Sequence, residues 1–154
     1  MKRLVVLLLA AGALGAVPTA DGADVVRVNA DAEWTSTGIS VVAGQIYSTE
    51  AIGKAFTTMP NNATFRPTPG TGTGRQGESG PEGQIYICTS APGFECALDG
   101  APFGQLVGRV GSQAFSIGDS GTFTAPASGT LELAVNDFLG YYSDNSGGFT
   151  VTIG

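Results

Sequence analysis

The chain has 154 residues, 24 of them glycine, no histidine, and a formal net charge of −6. Its seven lysines and arginines form no basic run, which excludes a nucleic-acid binder and leaves no amphipathic basic helix for a membrane surface. Without histidine there is no Ser-His-Asp or Cys-His machinery, and two cysteines alone do not make a zinc site.

The first twenty residues, "MKRLVVLLLAAGALGAVPTA", place Lys2 and Arg3 before an apolar stretch that ends near Val17. Small residues follow, the layout of a secretory signal peptide over 1–20, with Ala16, Ala20 and Ala23 as cleavage points in the 16–23 window. The apolar part is shorter than the roughly 20 residues that span a bilayer. The expectation is a protein exported to the periplasm or the extracellular space, with no membrane insertion after cleavage. The remainder, from residue 24 to 154, suits one compact domain.

Strand patterns then follow one another: "DVVRVNA", "WTSTGISVV" and "QIYSTEAIG", with Trp34 at an apolar position read as core. A segment rich in Pro, Gly and Thr, "MPNNATFRPTPGTGTGRQGESGPEG", runs from Met59 to Gly83 and reads as a long surface loop at about 59–83. Next comes "QIYICTS", where Cys88 opens a pair with Cys96. In an exported protein that spacing suits a disulfide closing a small loop. "GQLVGRVG", "AFSIGDSGTFTA" and "GTLELAVND" follow. The last run, "GFTVTIG", alternates Phe149, Val151 and Ile153 with Thr150 and Thr152, one apolar face and one hydroxylated. Short strands separated by Gly, Pro, Asn and Asp clusters predict an all-β sandwich or barrel.

Chemistry concentrates in "NDFLGYYSDNSGGF", Asn136 to Phe149. Asp137, Asp144 and Asn145 are oxygen donors suited to a hard cation such as calcium, and nearby glycines let carbonyls turn inward. The spacing is not that of an EF-hand: counting from Asp137, the third, fifth and sixth positions are Leu139, Tyr141 and Tyr142. "DNSGG" by itself is also a common β-turn signal. For catalysis, Glu78 and Glu82 sit in the glycine-rich loop, where solvated acids are the expected reading, and no Ser-x-x-Lys motif surrounds Lys54. No enzyme is expected.

"WTSTGISVVAGQIYSTEAIGKA", "GAPFGQLVGRVG" and "SGTFTAPASGTLELAVNDFLGYYSDNSGGFTVTIG" resemble the PA-I galactophilic lectin family, from about Val25 to Gly154. The resemblance implies a small jelly-roll-like β-sandwich, similar to galactose-binding domains, that binds galactose-type sugars through one calcium ion. It implies metal ligation by the Asp137 and Asp144 carboxylates, the Asn145 amide, the Tyr141 carbonyl and a carbonyl at about Thr57. Asp137, Asp144 and Asn145 would also meet the sugar, with Glu82 and Gln84 in the stretch that approaches its 6-hydroxyl. Two departures stand out. Asp144 replaces a neutral amide, and "GPEGQ" lacks the histidine of the family's H-P-D-Q-type motif. Phe138, Tyr141 and Tyr142 flank the expected ion, as core or as a stacking face for a sugar ring. The resemblance also allows an oligomer. The reading is an exported calcium-dependent lectin domain for galactoside-type glycans. Its alternative is a calcium-stabilised structural or cell-surface module without sugar binding.

Overall fold

The final strand shows how the chain divides into two layers. In β11 (Ser146–Ile153) the alternation places Phe149, Val151 and Ile153 inward and fully or nearly buried, with Thr150 and Thr152 on the other face. β11 lies between β1 (Asp24–Asn29) and β3 (Ile46–Phe56), antiparallel to both, so Val151 sits opposite Val26 and Ala51. β5 (Glu78–Ser79) and β9 (Ser120–Thr124) pair with the two ends of β3 and complete the first sheet. The second sheet has the order β2 (Thr35–Val41), β10 (Gly129–Val135), β7 (Leu106–Val110) and β8 (Gln113–Ser116). A two-residue ladder joins β4 (Thr68–Pro69) to β6 (Tyr86–Ile87).

The architecture is therefore the all-β sandwich that the strand runs predict. This computed structural model describes residues 22–58, 68–69 and 77–154. The expected signal segment and most of the expected 59–83 loop lie outside the described residues.

Between the sheets, Val28, Phe149 and Val151 meet Leu106, Leu131, Leu133 and Val135, all wholly buried. Each such side chain contributes about 1.5–3 kcal/mol relative to exposure. A second, smaller cluster holds Phe103, Phe138 and the Cys88–Cys96 disulfide, whose Cα atoms lie 6.1 Å apart.

Three sequence expectations change. "AFSIGDSGTFTA" is not one strand: Ile117 and Gly118 both donate to the Leu106 carbonyl, and the chain crosses from β8 in the second sheet to β9 in the first. "QIYICTS" keeps only Tyr86–Ile87 as strand, because the disulfide loop draws the rest out of the ladder. Trp34 is part-exposed, not core; the Arg109 guanidinium lies 4.3 Å from its ring centroid. Arg109 also pairs with Glu132 at 2.7 Å, so this outer face is a cation–π and ion-pair cover.

The sandwich has two unlike poles. β1 and β3 end, and β11 begins, at one of them: Asn29 is opposite Gly148, and Phe56 opposite Ser146. At the other, Gly154 exchanges backbone bonds with Ser48, and Asp24 lies opposite Ile153. Backbones crowd at the first pole. A Cβ on Gly148 would run into the Val28 carbonyl and one on Gly147 into the Lys54 carbonyl, and both residues have positive φ (141° and 78°).

Candidate functional site

The site forms where β10 runs out at that first pole. Asn136 is wholly buried and staples the preceding loop, accepting from Leu98 N and donating to the carbonyls of Leu98, Ala101 and Pro102. The next residue, Asp137, is thereby held wholly buried. Its Oδ1 accepts from Phe138 N at 2.7 Å, and its Oδ2 from Asn145 Nδ2 at 2.9 Å.

Burial pushes the Asp137 carboxyl up from 3.8 to about 6; the two hydrogen bonds oppose this, and the Asp144 charge adds to it. The described cations are all engaged elsewhere: Arg27 with Asn29 and Thr150, Lys54 with Glu78, Arg109 with Glu132. Among the described residues Asp137 is thus a buried acid with no positive partner.

A short 3-10 turn, Tyr142–Asp144, closes the loop over it. Tyr142 is buried, and its hydroxyl donates to the Val135 carbonyl at 2.9 Å. Burial, and then the Asp137 charge, raise the phenol above its ordinary range. Phe138 is also core, packed edge-on to Phe103. Of the three aromatics in the loop only Tyr141 is exposed (44%), stacked on Phe94 with centroids 5.3 Å apart. Asp144 extends into solvent.

Asn145 joins three segments. Its Nδ2 donates to Asp137 and to the Ala30 carbonyl at 3.2 Å, and its Oδ1 accepts from Thr58 N at 3.4 Å. No peptide is cis among the described residues, and a trans peptide points its C=O opposite to its N–H. The Thr57 carbonyl therefore turns away from the Asn145 oxygen. Asp137 and Asn145 are brought together; Thr57 lies beside them through the following N–H.

Gln84, expected to reach toward a ligand, is instead wholly buried. Its Nε2 donates to Thr57 Oγ1 at 2.6 Å, and its Oε1 accepts from Gly77 N at 3.3 Å. It ties the end of β3 to the 77–84 turn from the inside. Glu82 is part-exposed and folds its carboxylate over Gly80. Gln84→Leu should cost about 1–2 kcal/mol, since it strands the buried Thr57 hydroxyl and the part-buried Gly77 N–H. Urea unfolding measures this; an unchanged midpoint would show the tie to be idle.

Sequence reasoning did not find Asn136, the Ala30 carbonyl, or Glu33, whose carboxylate accepts from Gly140 N at 3.1 Å. The "ND" pair was the available signal for Asn136; for the other two, distant in sequence, there was none. Among the described residues no three His, Cys, Asp or Glu side chains gather into a metal cluster. A cation here would depend on Asp137 and Asp144 together with amide and backbone oxygens.

No family model and no curated protein matches the chain. Among solved structures it is similar to the EclA N-terminal domain, a PllA-like lectin. The two are 25% identical, over 84% of this chain and 92% of that one, with a TM-score of 0.56.

Proposed function

We propose that this is an exported, calcium-dependent lectin domain without catalytic activity, and that it takes galactose-type sugars at the β10–β11 pole. One observation carries the reading: Asp137, buried and without a positive partner among the described residues, faces the Asn145 side chain beside a second carboxylate, Asp144. A buried charge of this kind is costly until a cation joins it. The likeness to a PllA-like lectin over most of both chains supports carbohydrate binding of that general kind, more broadly than the PA-I galactophilic family alone.

The donor set fits a hard cation. Asp137 and Asp144 would supply carboxylate oxygens, Asn145 its amide oxygen, and Tyr141 and Thr57 carbonyls. The amide now presents nitrogen to Asp137, and the Thr57 peptide presents its neighbour's N–H. Both groups would have to exchange ends to ligate a cation. Calcium bound here would supply a positive anchor for two adjacent sugar hydroxyls. Asp144 accepts but does not donate hydrogen bonds, so it recognises hydroxyls only through their protons.

A glycan array probed with calcium and then with chelator tests the proposal. A galactoside signal that chelator removes supports it. Thermal stabilisation by calcium with no glycan signal favours the structural module instead.

A finer expectation concerns the 6-position. The chain has no histidine to meet a 6-hydroxyl, and the Gln84 amide is consumed internally. Loss of one directional hydrogen bond is worth about 0.5–1.5 kcal/mol. 6-Deoxygalactose should therefore bind within about twofold of galactose in calorimetry. A strong preference for the intact 6-hydroxyl would assign that contact to Glu82.

A further inference from the structure

We propose, resting on the sugar-binding reading above, that the Cys88–Cys96 loop and Tyr141 form a second subsite, for the sugar residue next to the cation-bound one. A broad, open groove along this loop is lined by Pro92, Phe94, Glu95 and Leu139, among others.

The loop is pre-shaped. Ala91 and Phe94 exchange two backbone hydrogen bonds of 2.8 Å across Pro92-Gly93, with Gly93 at φ 84°, the residue types of a tight turn. Ser90 is held twice, its N–H donating to Asp99 and its hydroxyl accepting from Cys96 N. The disulfide closes the base.

The loop is also fastened to the cation loop itself. Ala97 N donates to the Asp137 carbonyl at 2.9 Å and Leu139 N to the Glu95 carbonyl at 2.7 Å. Phe94 is backed edge-on by Phe138 and stacked on Tyr141, which belongs to the cation loop. The aromatic surface therefore continues from the first sugar position outward, ending at the exposed Glu95 carboxylate. A flat apolar platform beside a hydroxyl acceptor suits a pyranose ring, whose carbon face and hydroxyl rim have the same two characters. A rigid platform loses little ordering entropy when it binds.

Calorimetry on the calcium-loaded full chain tests this with methyl galactoside and the two anomers of a galactosyl-glucose disaccharide. At least one disaccharide should bind about threefold or more tighter than the methyl galactoside. Phe94→Ala and Glu95→Ala should each bring that ratio toward one, and Phe94→Tyr should keep it. Reading a ratio separates the subsite from any general loss of folding. A wild-type ratio near one overturns the subsite and leaves the parent reading standing, as does a ratio untouched by both alanine variants. No calcium-dependent binding of any of the three sugars removes both.

Discussion

Asp137→Asn is expected to abolish calcium binding and to remove the pH dependence that Asp137 gives the calcium-free domain. The two effects have one cause. Asp137 is wholly buried, holds its proton up to about 6 rather than 3.8, and is opposed first of all by its own burial. Between those two values the folded chain binds a proton that the unfolded chain has released. Without calcium, its contribution is therefore fully present below about pH 4 and is lost as pH rises through about 6. The difference amounts to about 3 kcal/mol. An uncharged amide does not titrate, so the variant's stability should be flat across this window, at a level lowered because its NH2 faces either Phe138 N–H or the Asn145 amide nitrogen where the carboxylate accepted from both.

On the proposed reading calcium should reverse the trend for the wild type, because it would require the ionised carboxyl. Its affinity should fall as pH drops through 6. At neutral pH, a hundredfold excess over Kd should add about 2.7 kcal/mol. Melting curves at pH 4.5 and 7.5, with calcium and with chelator, separate the contributions. If Asn at 137 binds calcium as well as Asp does, this carboxylate is not the anchor.

The paired change Cys88→Ser with Cys96→Ser should cost about 2–3 kcal/mol, the loop-closure entropy of a bridge between residues 8 apart in sequence. The loss should reach beyond the loop itself. Cys88 and Cys96 are packed with Phe103 and Phe138, and Phe138 follows Asp137 directly. Calcium affinity should weaken too as the bond between Ala97 N and the Asp137 carbonyl loosens. Denaturant unfolding and calcium titration of the same variant give both numbers. An unchanged midpoint would mean that the loop's many hydrogen bonds hold it without the bridge.

Much of the sandwich was legible because its strongest strands obey a two-residue period. β11 reads at sight, with Phe149, Val151 and Ile153 against Thr150 and Thr152. The crossing at Ile117–Asp119 was not, since Gly118 interrupts a run whose two halves are each good strand and local pattern carries no sheet membership. Trp34 misled for a related reason: hydrophobicity does not say whether an indole is covered by the core or by an arginine from a neighbouring strand. In the site, Asp137, Asp144 and Asn145 stood out as oxygen donors close in sequence. Gln84 could not be read correctly, because the direction of an amide depends on Thr57 and Gly77 meeting it in space. The same holds for the Thr57–Thr58 peptide, whose N–H meets the Asn145 oxygen only in the folded chain.

The unlike poles of the sandwich govern how the molecule can be attached to anything. Gly22 and Gly154 lie at the end remote from Asp137, separated from it by the length of β11, eight residues or about 25 Å. A tag, tether or neighbouring module joined at either position lies at the end opposite the Asp137 loop. Copies grafted side by side through Gly22 or Gly154 would all present the Asp137 end in parallel. If that end binds sugar as proposed, even a millimolar single contact would then add up across such a layer, with effective concentration doing what affinity alone does not.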